Sequence, residues 1–150
     1  MSSTDRIEKK VVLQAPRARV WRALTNAQEF GTWFRVKFDG AFVVGKSITG
    51  QIAIPGYEHV TMKLMIERMD AEERFSYRWH PYAMDPKVDY TSETPTLVEF
   101  RLAEADGATT LTVVESGFDK IPAGRRDEAF RMNDGGWTSQ LKNIARYVAV

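Results

Sequence analysis

Apolar and polar positions alternate along most of this chain, and in three places the period lengthens to that of a helix. Residues 6–14 alternate, with Ile7, Val11 and Leu13 on one parity, and predict a first strand. Pro16 follows, where the first turn of a helix tolerates a residue without an N–H. Val20, Trp21 and Leu24 then share one helical face, with Arg17, Arg19 and Arg22 pointing elsewhere. Asn26 with Glu29 three residues later has the spacing of a capping box and predicts a second short helix ending near Trp33-Phe34. Six strands are expected next, over 35–44, 47–54, 59–70, 74–80, 96–105 and 108–116. Their breaks fall at Gly45, Pro55-Gly56, Glu72-Glu73 and Asp106-Gly107, and the Asp-Gly pair supplies the positive φ angles of a tight hairpin. Met62, Leu64 and Ile66 oppose Lys63 and Glu67, and Phe75, Tyr77 and Trp79 oppose Arg74, Ser76 and Arg78. Val98, Phe100 and Leu102 likewise oppose Glu99 and Arg101, so one face of the sheet is buried and the other is wet, as antiparallel sheets permit.

From Pro122 onward the period is helical. Phe130, Trp137, Leu141, Ile144 and Val148 form a stripe that needs an apolar surface to lie on. Gly135-Gly136 interrupts this helix at a cost of about 0.5–1 kcal/mol per glycine, which a close approach of the helix backbone to a neighbour would offset. Strand, two helices, six strands and a long helix make one α+β domain over 1–150, an antiparallel sheet curled around its terminal helix.

Composition narrows the chemistry. The 150 residues suit one domain, and 43% hydrophobic with 27% charged residues is ordinary for a globular protein. Twenty-one basic against twenty acidic residues give a net charge of +1, which leaves no overall basic field for nucleic acid. The basic residues Arg6, Lys9, Lys10, Arg17, Arg19 and Arg22 then read as a solvated face. Cysteine is absent, which excludes disulfides, thiolate-bound zinc, cysteine nucleophiles and cysteine-ligated iron–sulfur clusters. The N-terminus has no apolar signal region and no apolar run approaches a membrane span, so a cytoplasmic protein without a membrane partner is expected.

The histidines are His59 and His80, and neither has metal-ligand spacing, so no metal is expected and both read as solvated loop residues. His80, which ends the strand carrying Trp79, has the alternative of a proton acceptor at a cavity mouth. Gly45-Lys46-Ser47 is half a phosphate loop, Ser116-Gly117 is no nucleophile elbow, and no dinucleotide fingerprint follows a strand, so no cofactor is expected. Glu115 shares the parity of Leu111 and Val113 and points inward near the end of the last strand. Asp134 lies on the helical stripe between Phe130 and Trp137, and an exposed position or a local hydrogen bond is favoured over burial because an isolated buried carboxylate is costly. Trp33, Phe34, Tyr77, Trp79, Phe100, Phe130 and Trp137 have the parity or phase to face the gap between sheet and helix. There they either fill the core or wall a pocket. Residues 81–95 hold three prolines and read as a long loop, either a disordered surface or one in which Tyr82, Met84 and Tyr90 serve as a lid or as a dimer contact.

Val20 through Thr25, Trp33-Phe34, Gly45, Trp79, Glu115 through Phe118 and Gly136-Trp137 come in an order that resembles the START-like, birch-pollen-allergen-like superfamily. Within it, the chain is similar to the branch named for activators of the heat-shock chaperone ATPase. The resemblance implies a helix-grip fold, with a seven-stranded antiparallel sheet wrapped on the C-terminal helix and a cavity between them. It thereby turns the seven aromatic positions into expected ligand contacts for a small apolar or amphipathic molecule, without defined catalysis. Two other readings come with the resemblance. One is a chaperone-associated stress-response module, although nothing before residue 6 matches the extra chaperone-engaging domain of the eukaryotic activator. The other is a cyclase- or hydrolase-type enzyme, for which Tyr77, His80, Glu115 and Asp134 are the titratable candidates. A homodimer is a further expected partner arrangement.

Overall fold

Seven strands, all antiparallel to their neighbours, form one sheet in the order β1-β7-β6-β5-β4-β3-β2 in the computed structural model, which describes residues 5–85 and 87–149. They are β1 (Arg6–Leu13), β2 (Val36–Phe38), β3 (Ser47–Ile52), β4 (Thr61–Asp70), β5 (Arg74–Trp79), β6 (Thr96–Ala105) and β7 (Ala108–Ser116). The helices are α1 (Arg17–Thr25), α2 (Ala27–Phe34) and α3 (Ala123–Val148), with a single 3-10 turn at Phe118–Lys120. This is the helix-grip arrangement, with α3 packed on β1, α1 and α2. No helix among the described residues is long and apolar enough to cross a membrane.

The alternation read from the sequence is for the most part the alternation of burial, while in β5 Ser76 of the outer parity is buried as well. Met62, Leu64 and Ile66 of β4, Phe75 and Tyr77 of β5, Val98, Phe100 and Leu102 of β6, and Leu111 and Val113 of β7 all enter the core. Asp106 and Gly107, at φ 54° and 78°, make the tight turn that joins β6 to β7. Asn26 caps α2 by accepting from the Glu29 backbone N–H at 3.0 Å, but the reciprocal half of the box is missing. The Glu29 carboxylate instead binds Arg19 and Arg22 of α1 and accepts from the Tyr147 hydroxyl of α3, tying three helices together.

Two expectations need correction. The strand expected over 35–44 is three residues long. Gly40 at φ 121° and Gly45 at φ 84° fold the rest into a loop that buries Phe42 against Phe30, Phe38 and Phe75 and leaves Val43 and Val44 exposed. The close approach expected at Gly135-Gly136 does not exist, because a Cβ at either position would meet no atom within 4 Å. The helical glycine that is pressed against a neighbour is Gly31 of α2, where a Cβ would lie 2.1 Å from the Val36 carbonyl oxygen.

Candidate functional site

Glu115 continues the inward parity of β7 to its last turn, and its side chain is fully buried. Four donors from three further elements converge on it. Trp79 Nε1 of β5 and Thr96 Oγ1 of β6 donate to Oε2 at 2.7 and 2.5 Å. Asn133 Nδ2 and Trp137 Nε1 of α3 donate to Oε1 at 2.9 and 2.8 Å. The ion pairs among the described residues all lie elsewhere, so this carboxylate is compensated by hydrogen bonds alone. Tyr77 lies two strands away in the same inward row, paired through Val98 to Glu115. Burial, and after it the Glu115 charge, pushes the Tyr77 hydroxyl well above the usual phenol range.

Beyond Trp79 and Asn133 opens a cavity of about 530 Å³, between the end of the sheet and the segment that follows β5. Phe34 and Trp79 form its aromatic inner wall, Val60 and Met62 its β4 side, and Tyr82 and Met84 its cover. A half-open cleft of this size, lined by apolar and polar side chains together, has room for a small molecule. Residues 81–95 contain no helix or strand among those described, and they are held in place by Arg125 at the start of α3. Its guanidinium pairs with both oxygens of Glu93 at 2.6–3.0 Å, donates to the Pro81 carbonyl at 2.9 Å and lies over the Tyr90 ring at 4.7 Å.

The seven aromatic positions fall into three places. Phe34 and Trp79 line the cavity. Tyr77, Phe100 and Trp137 stand behind them as buried core, with Trp137 against Phe34, Trp79 and Phe100 at 5.7–6.0 Å. Trp33 is buried away from the cavity and donates to the Ala23 carbonyl at 2.8 Å, and Phe130 packs edge-on against Phe118. His59 is an exposed residue on the cavity rim. His80 is not a solvated loop histidine, because it is half-buried, lines the cavity and bonds through Nε2 to the Glu93 carbonyl at 3.0 Å. Asp134 stays outside, 3.3 Å from Lys9. Its neighbour Asn133, three residues after Phe130 and four before Trp137, takes the inward position, a phase the sequence also carried. Asp89, on the rim, has its carboxyl held below the usual carboxylate range by hydrogen bonds from the Thr91 hydroxyl and N–H. No group of three or more potential metal ligands occurs among the described residues.

The family described as "Activator of Hsp90 ATPase homolog 1-like protein" matches residues 14–149. No curated protein matches the chain. Among solved structures, the protein MLL2253 from Mesorhizobium loti is 20% identical with a TM-score of 0.73, covering 95% of each chain. The Aha1 dimer from Colwellia psychrerythraea is 14% identical with a TM-score of 0.71, covering 97% of this chain and 96% of that one. DynU16, a protein of the dynemicin biosynthetic locus, is 22% identical with a TM-score of 0.72 over 95% of this chain, which spans under half (46%) of DynU16. At these identities the structures share the fold, and the fold does not carry an activity. The extent of the family match is of another kind, since it runs from the end of β1 through α3, and by it the chain belongs to the activator of Hsp90 ATPase homolog 1-like family.

Proposed function

We propose that the protein binds a small, largely apolar or amphipathic molecule in the cavity beyond Trp79, with no defined catalysis. The observation that supports this reading is the cavity itself. It has a volume of about 530 Å³, with an aromatic inner wall and a cover of Tyr82 and Met84. In this reading Phe34 and Trp79 touch the ligand, while Tyr77, Phe100 and Trp137 form the layer that fixes the orientation of those two rings. Trp33 and Phe130 contribute through the core.

The test uses Nile red, a neutral dye whose emission reports an apolar site. It is titrated into the wild-type protein and into Trp79→Leu and Met84→Ala variants. The expected result is saturable binding that weakens about tenfold or more in Trp79→Leu, as truncation of a central aromatic does. Met84→Ala, in a half-buried cover residue, preserves folding and is expected to weaken binding less. Unchanged affinity in both variants, with each still folded by circular dichroism, would remove the cavity from consideration.

A further inference from the structure

At the inner end of the cavity the indole donors are already engaged. The N–H groups of Trp79 and Trp137 are both spent on Glu115, and so is one amide hydrogen of Asn133. With one Nδ2 hydrogen turned to Glu115, Asn133 keeps its amide oxygen as an acceptor beside its second N–H. His80 behaves alike. Its Nε2 faces the Glu93 carbonyl, which has no hydrogen to give, so Nε2 carries the proton and a neutral ring keeps Nδ1 as an acceptor.

Charge points the same way. Behind Trp79 and Asn133 lies Glu115, buried and without a cation beside it, in surroundings where screening by water is weak. Asp85 and Asp89 add two carboxylates on the covering segment. Against them stands Lys63, an exposed residue on the outer parity of β4. The wall between carries the rings of Phe34, Trp79 and Tyr82, and aromatic faces attract a cation.

Resting on the cavity as the binding site, we infer that it selects amphiphiles with a protonated amine head, seated against Trp79 and Asn133 with the tail under the covering segment. An ammonium supplies the positive charge that this end of the cavity lacks and donates to the acceptors of Asn133 and His80. A carboxylate or sulfate head meets acceptors and like charge instead.

Three molecules with one tail and different heads separate the possibilities. Decylammonium, decanol and decanoate are each used to displace Nile red at neutral pH. The expected order is decylammonium about tenfold tighter than decanol, equivalent to about 1.4 kcal/mol, with decanoate weakest. Glu115→Gln is expected to erase the ammonium preference while decanol still binds. Should that variant not fold, the Asp85→Asn, Asp89→Asn double variant, altered only at exposed positions, is expected to narrow the preference. Decanol or decanoate binding as tightly as decylammonium to the wild type overturns the inference and leaves the cavity reading standing. So does a preference that persists unchanged in the folded variants. Failure of all three to displace the dye overturns the cavity reading and the inference with it.

Discussion

The Tyr77 hydroxyl is fully buried and has no hydrogen-bond partner among the described residues, although a carboxylate with four donors stands two strands away. Glu115 takes two donors at each oxygen, all from Trp79, Thr96, Asn133 and Trp137, and the phenol is left out. A buried hydroxyl in this position costs about 1–3 kcal/mol in lost hydration. Its ring, by contrast, packs against Phe30, Phe75, Trp79 and Phe100 at 5.5–6.3 Å and is worth keeping. Tyr77→Phe therefore stabilises the fold by about 1 kcal/mol, seen as a higher urea midpoint at unchanged slope. A loss of about 1 kcal/mol, the usual result of deleting a hydrogen-bonded hydroxyl, would show that the phenol has a partner in solution.

Glycine in a helix means opposite things in α2 and α3. Gly135 and Gly136 are exposed, and a methyl group at either would meet nothing within 4 Å. Replacing each with Ala gains about 0.5–1 kcal/mol of helix propensity, so the double variant is expected to be about 1–2 kcal/mol more stable. Gly31 closes α2 just where Arg35, at φ 70°, turns the chain back so that the Val36 carbonyl presses on the helix. Gly31→Ala forces that backbone apart and is expected to cost about 2–3 kcal/mol by the same denaturation measurement. Sequence pattern reports that a glycine interrupts a helix but not what lies beside it, because the neighbour comes from another element. The same limit separates what was legible here from what was not. Strand parity exposed the buried face and placed Glu115 inward, since alternation is a local property. It overran β2, where Phe42 is buried by a loop folding back rather than by a strand. The four donors to Glu115 were out of reach, as they stand on β5, β6 and α3 and meet it only through sheet order and helix docking.

At the scale of the whole molecule, one guanidinium closes the segment between β5 and β6 over the cavity. Arg125 reaches the carbonyls of Pro81 and Tyr82 at one end of that segment and the Glu93 carboxylate at the other, while His80 binds the Glu93 carbonyl. Pro81, Tyr82 and Glu93 are thereby tied to the start of α3. The side chains of Arg125 and Glu93 are 21% and 11% exposed, so the pair is neither a solvated surface contact nor a dry one. Its coupling energy in a double-mutant cycle with Arg125→Ala and Glu93→Gln is expected to be about 2 kcal/mol, between those limits. Because the clamp acts on a segment with no ladder of its own, its loss is a local event. In Arg125→Ala, amides of residues 82–85 and 87–92 are expected to exchange with deuterium faster while those of β6 and β7 keep their protection. A bound ligand is then expected to leave faster, since Tyr82 and Met84 ride on that segment. Equal loss of protection across segment and sheet would instead make Arg125 a general stabiliser of the fold, and the segment no separate cover.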